Sequence, residues 1–335
     1  MTDPTVPFVS RDAVARGKIS EGREEAIAKL RLLDCGRRLR EILALQGIWI
    51  LGAWMVVYAM SLSGQWHWPI LVVGLLLAAL GLNANVLLLH EGMHYTLAAS
   101  RTVNRWGSAL LGATVLISFH AYRVMHTSHH VFLGDPRDPD DYRRVANNRG
   151  TLFLMQYLRI SIGALVYIFA IPFGAWKRGN KEDRLGMIAD YALMVMVYSL
   201  LVWLVPGRLL VSVWLLPLIL VVWMTGVRGL TQHGLTDSED GFTASRTILA
   251  NPVTEFLLLS ENFHLEHHLF PEVPSYHLHH LHELIWPHLP RSTSAKSYLG
   301  FLRQFIRASA NLDEGPIGLN EQIKVENAAF PKRVS

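Results

Sequence analysis

Four apolar stretches limit what this chain can fold into more than anything else in it. Residues 43–62, 69–89, 186–205 and 209–227 are each about long enough to cross a hydrocarbon core as a helix. With 51% hydrophobic and 17% charged residues, a chain of 335 residues is apolar for a soluble protein. The first two stretches are joined by Leu62 to Trp68, a link without Lys or Arg that carries Trp66 and Trp68. Indoles at an interface fit a hairpin tip facing away from the cytoplasm. The second pair is separated by Pro206, Gly207 and Arg208, a sharp turn between antiparallel helices. Arg23, Lys29, Arg31, Arg37, Arg38 and Arg40 precede the first span, and Lys177, Arg178, Lys181 and Arg184 precede the third. This is the positive-inside pattern.

Histidines then restrict the topology. His90 and His94 end the second stretch, His126, His129 and His130 follow it, and His264, His267 and His268 follow the fourth. On a helix, residues three and four apart share a face, so each HxxHH offers imidazoles from about one turn. Imidazole suits zinc, copper, iron and nickel, and a single zinc takes about four ligands. Eight rings therefore point to a dinuclear centre. For the clusters to meet on one face, an even number of spans must separate them. Residues 107–119 are too short to span comfortably, and 152–174 contains Arg159, so both are expected to be interfacial or re-entrant. The expectation is an all-α integral membrane protein of four transmembrane helices under a cytoplasmic, histidine-rich cap that holds the dinuclear centre. Residues 1–42 form a cytoplasmic segment, 43–311 one membrane domain, and 312–335 a polar, mobile tail.

Taken together, the motifs resemble the membrane fatty acid desaturase-like family of oxygen-dependent di-iron enzymes, which also includes carotenoid hydroxylases and ketolases. The likeness rests on HEGMH at 90–94, HTSHH at 126–130 and ENFHLEHHLFPEVPSYHL at 261–278, and runs from the first span to about residue 290. It implies that His90, His94, His126, His129, His130, His264, His267 and His268 hold two irons. His233, in VRGLTQHGL, occupies the place at the end of the last span from which such enzymes often take a further ligand. The resemblance also implies O2 as co-substrate and desaturation of a fatty acyl chain in a tunnel between spans. The chain lacks an HPGG-type haem motif, so electrons are expected from a separate ferredoxin- or cytochrome b5-like protein.

Ring N–H groups need acceptors, and Glu91, Asp138, Asp140, Glu261 and Glu266 lie near the clusters. For Asn262 the sequence leaves a helix cap and a water-mediated contact with the centre open. GDPRDPDDY at 134–142 reads as a turn-rich loop, and a single helix is expected around 253–270. The run KSYLGFLRQFIRAS at 296–309 reads as an amphipathic helix. His277, His279, His280, His282 and His288 alternate with Leu278, Leu281 and Leu284, which reads as an amphipathic surface segment rather than another metal site. His67 and His120 are expected to be structural.

Other classes fit less well. Transport predicts ligands at mid-bilayer, and bis-imidazole haem gains nothing from adjacent doublets, which weighs against a metal transporter or haem-binding electron carrier. No basic stripe interleaves with aromatics, so nucleic acid is excluded despite a pI near 9.2. Cys35 is the one cysteine and cannot form an intramolecular disulfide. Residues 1–40 contain no apolar core of a secretory signal, and a bacterial inner membrane is expected. A hydroxylase or ketolase acting on a carotenoid or similar lipid remains the alternative within the same chemistry.

Overall fold

The structure, a computed structural model, describes residues 10–141, 146, 148–237, 240–309 and 316–320. Among the described residues, four helices are long and apolar enough to cross a membrane. The first two, α3 (Cys35–Ser61) and α4 (His67–Met93), form the expected hairpin. They approach closely because Gly52 has no side chain: a Cβ there would lie 2.2 Å from the Ala78 nitrogen. Helix α4 is the central element, and every residue from Gly81 to Met93 is buried. The third span, α8 (Lys181–Leu204), starts from a capping box between Asn180 and Asp183, which satisfies two backbone donors reciprocally. The fourth runs from Gly207 to His233, through α9 (Gly207–Leu210), a π-turn and α10 (Leu216–His233).

The two doubtful apolar stretches are both sharply bent. Helices α5 (Arg101–Thr114) and α6 (Phe119–Phe132) meet at 102°. At their corner Leu116 takes a left-handed φ of 62° and the Ser118 side chain caps α6. Within α7 (Arg149–Arg178), the segments 149–163 and 168–178 meet at 103°. If each bent pair is one span, the count rises from four to six.

The cap departs from the expected all-helical pattern. Strand β1 (Arg246–Ile248) pairs in parallel with β2 (Ser292–Ala295), which pairs antiparallel with β3 (Leu319–Asn320). This sheet also corrects the single helix expected over 253–270. Ile248 donates its N–H to the Asn262 carbonyl at 2.8 Å, and Thr247 bridges Phe263. Backbone groups committed to the sheet cannot continue a helix. The segment is therefore split into α11 (Pro252–Leu257) and α12 (His264–Leu269), with Leu259 and Ser260 in the left-handed region between them.

The N-terminal helices α1 (Arg11–Ser20) and α2 (Glu24–Leu30) bury Ala15, Ile19 and Ile27 against Phe263, Leu265 and Leu269. They share one core with α13 (Leu278–Ile285). The amphipathic run near 296–309 forms α14 (Tyr298–Ser309), which buries Phe301 and Phe305. Of the tail from 312, residues 316–320 are described and reach the sheet through β3; the rest lies outside the described residues.

Candidate metal centre

All nine sequence-selected histidines converge, but not cluster by cluster. His90, His94, His126, His130 and His267 bring one nitrogen each within 4.8 Å of the others. Their Nε2 atoms are 2.9 Å apart for His90 and His126, 3.2 Å for His126 and His94, 2.9 Å for His130 and His126, and 3.2 Å for His267 and His130. His129, His233 and His268 form a second group within the same limit. His264 joins it, its Nε2 2.9 Å from that of His233, which is 3.3 Å from that of His129.

Helix geometry explains the partition. In each HxxHH the residues at i and i+4 share a stripe, while i+3 is about 100° away from i+4. On α6 the i and i+4 pair, His126 and His130, enters the five-histidine group and His129 turns to the other. On α12 the assignment is reversed: His264 and His268 join His129, and His267 crosses over. The two motifs face each other across the site, so each supplies both groups.

Hydrogen bonding does not account for this crowding. A neutral imidazole has one N–H and one lone pair, yet His126 Nε2 has three ring nitrogens within 3.2 Å. Converging lone pairs suit a cation. The outward Nδ1 atoms agree: His129 Nδ1 lies 3.0 Å from Asp138, His268 Nδ1 3.1 Å from Asp12 and His233 Nδ1 3.3 Å from the Ala244 carbonyl. Glu261 sits 3.1 Å from His90 Nδ1 and 3.5 Å from His264 Nδ1, at ion-pair distance but off the hydrogen-bond axis. Acceptors on Nδ1 keep the proton there and leave Nε2 to bind metal. The buried Nε2 of His268 has no hydrogen-bond partner among the described residues, as expected of a metal donor.

Burial pushes the ring of His264 down to about 3, against the opposing negative charge of Glu261, and lowers His267 and His268. Burial thus favours the neutral ring, the form that ligates. His129 moves the other way: burial lowers it, but the hydrogen bond and charge of Asp138 outweigh that and hold it above the usual range.

Several neighbours differ from expectation. Glu91 lies within 4.8 Å of His90 and Glu261 but joins neither histidine group; it ion-pairs with the buried Arg38 and accepts from Thr96 Oγ1 at 2.9 Å and the Ser275 N–H at 3.2 Å. Glu266 accepts from Thr247 Oγ1 at 2.6 Å and holds His282 Nδ1 at 2.5 Å. His282 is therefore fully buried rather than part of a surface segment. His279 reaches Glu255 at 3.2 Å, and His120 is held by Asp190 at 3.0 Å. Asn262 is neither a cap nor within a histidine group; its Nδ2 donates to the Ile248 carbonyl at 2.9 Å. Asp140 is 3.9 Å from His129 Nδ1. The residue that sequence reading missed is Asp12, buried beside His268 but far from every cluster in sequence; an acid in the first turn of a helix is too common a pattern to reveal it.

A cavity of about 120 Å³ opens beside both groups, reaching His90, His126, His129, His233 and His264. Its wall is mainly apolar, with Val86, Val115, Ile117, Leu218, Val221 and Ile171 from α4, α10, α7 and the α5–α6 corner. Gly226 lets α7 close this wall, since a Cβ there would lie 2.5 Å from the Arg159 carbonyl oxygen.

A family model described as fatty acid desaturase matches residues 66–299, well over half the chain. The chain is 27% identical to a dihydrorhizobitoxine desaturase of Bradyrhizobium elkanii, over 78% of this chain and 81% of that one. It is 25% identical to an omega-3 fatty acid desaturase of the endoplasmic reticulum from Vigna radiata var. radiata, over 63% of this chain. With a probable fatty acid desaturase of Sorghum bicolor the identity is 23% over 67%. The matches span only 60% and 61% of the two plant proteins' own lengths. Asp12 and Arg38 both precede the matched region.

Proposed function

The chain belongs to the fatty acid desaturase family, and from that premise we propose that it is an oxygen-dependent di-iron lipid desaturase that introduces a double bond into a fatty acyl chain. One iron is held by His90, His94, His126, His130 and His267, the other by His129, His233, His264 and His268. The observation that carries this reading is the convergence of two sets of Nε2 atoms beside an apolar cavity. Iron in these positions would supply the O2-dependent oxidation that removes two hydrogens from neighbouring carbons.

The chain's own residues do the rest. Apolar side chains from α4 and α10 align the substrate and keep water from the reacting carbons. Asp12 and Asp138 hold Nδ1 protons in place, so that the rings present fixed lone pairs. The centre faces the cytoplasm of a bacterial inner membrane, where the basic residues flanking the spans receive a separate ferredoxin- or cytochrome b5-like donor. One relative is named for dihydrorhizobitoxine rather than a fatty acid, so substrate class needs its own argument.

The test is the lipid profile of a host lacking related activities, comparing the intact chain with His267→Ala. A new unsaturated acyl group with the intact chain alone is the expected outcome. A hydroxylated lipid or oxygenated carotenoid in its place would overturn the desaturation reading and keep the metal assignment.

A further inference from the structure

Two polar groups in the cavity wall have no use in this mechanism. Thr225 and Arg228 are three residues apart on α10, so they share a face, and both line the cavity with the histidines. Thr225 Oγ1 and Arg228 Nη1 are buried and have no hydrogen-bond partner among the described residues. A guanidinium remains protonated, so burial cannot be relieved by loss of its charge. Nor does this nitrogen reach water, as it would on a snorkelling arginine. The two carboxylates that line the cavity are Glu261 and Asp140. Both lie close to histidine Nδ1 atoms, of His90 and His129 respectively.

We propose that Arg228 and Thr225 bind a carboxylate inside the cavity, so that the substrate is an unesterified acid rather than an acyl group on a large carrier. A planar carboxylate matches the two-pronged donor edge of a guanidinium, and the Thr225 hydroxyl supplies another donor. Arg228 lies five residues before His233, about 7.5 Å along the helix axis. The carboxylate thus sits close to the metal-facing end of the cavity, and the apolar tail runs toward Val86, Val115, Leu218 and Val221. The carbons passing the histidines are then the first few after the carboxylate. Gly229 contributes by its lack of a side chain, since a Cβ there would lie 3.2 Å from the Arg159 guanidinium, which lines the same cavity.

This inference rests on the desaturase reading for its chemistry, but its binding step is tested separately. The full chain in nanodiscs is titrated with decanoate and with methyl decanoate at pH 7.5, alongside Arg228→Gln and Thr225→Val. Partitioning into lipid is common to all three proteins and cancels in the comparison. Decanoate is expected to bind Arg228→Gln on the order of tenfold to a hundredfold more weakly than the unaltered chain. Thr225→Val should show a loss of a few fold, and methyl decanoate should not distinguish the proteins. If Arg228→Gln does not fold, Thr225→Val carries the test, since it removes one hydroxyl and keeps the shape. Unaltered decanoate binding in the folded variants, as when water alone occupies the pocket, would overturn the inference. So would equal binding of acid and ester by the unaltered chain. Double bonds confined to esterified lipid, with no preference for decanoate, would sink the inference and keep the desaturase reading; carboxylate-selective binding without any desaturated product would do the reverse.

Discussion

Four of the five rings in the larger histidine group arrive as i, i+4 pairs, His90 on the last turn of α4 with His94 at its C-cap, and His126 with His130 on α6. The smaller group draws His129, His233, His264 and His268 from α6, α10 and α12. It is tied down from outside by Asp12, Asp138 and the Ala244 carbonyl. Helix regularity alone positions most of the first group, because residues four apart must share a face. The second depends on chain segments brought together by the cap. The contrast teaches that one half of the centre is built by local geometry and the other by tertiary clamps, and variants should separate them.

The largest effect is expected at the hub of the first group. His126→Ala should cut bound iron from about two ions to about one, with loss of desaturation by a factor of ~1,000 or more, because it removes a ligand shared by three close neighbours. Iron content by elemental analysis and lipid profiles check this. An unchanged iron content would break the proposed partition.

Next comes Gly92, inside HEGMH. A Cβ there would fall 1.6 Å from Ser108 Oγ and 2.9 Å from Ser108 Cβ, so Gly92→Ala must push α5 off α4. Overpacking of this kind costs about 1–3 kcal/mol, read as a lower melting temperature. Iron loss should be selective for the first group.

Asp12→Ala and Asp138→Ala probe the clamps. Removing such an acceptor lowers metal affinity by about tenfold to a hundredfold, and equilibrium dialysis against iron should show one weakened site out of two. Asp12→Asn keeps an oxygen acceptor for His268 Nδ1 and should recover most of the affinity. Equal weakening of both sites would erase the distinction between the groups.

Acidification acts on the metal-free protein. The folded pKa of His264, about 3, lies below its ordinary value of 6.5, so between those values the unfolded chain binds more protons. Stability should therefore be greatest above about pH 6.5 and fall as pH drops, by about 1.4 kcal/mol per unit for such a ring. His129, raised instead, contributes with the opposite sign: its share is present at low pH and lost as pH rises through the folded value. Chemical denaturation across pH 4–8, with and without His264→Gln, checks the balance; a flat profile would contradict it.

The smallest effect belongs to Glu272, which meets Arg31 at 2.7 Å and Arg16 at 3.7 Å with all three side chains more than a third exposed. Pairs like these contribute about 0–1 kcal/mol. Glu272→Gln should leave melting and iron affinity nearly unchanged, whereas a large loss would mean that the docking of α1 depends on this pair.

Much of the outline was legible. The spans could be read because twenty apolar residues in a row have few alternatives to a membrane helix, eight of the histidines because they fall in closely spaced clusters, and His233 only through the family resemblance. The split of α11 from α12 was not legible, since nothing local in residues 253–270 announces that β1 will take the backbone of Asn262 and Phe263. His282 looked like a surface residue because its partner Glu266 lies sixteen positions away.

The sequence by itself determined the four apolar helices and the imidazoles clustered near helix ends, which depend on composition and short-range periodicity. Only the tertiary structure decided which ring joins which group, that Asp12 closes the site from the N-terminal helix, and that Thr225 and Arg228 face the same cavity as the histidines. Those facts depend on contacts between distant segments, and helical spacing fixes a face without fixing what packs against it.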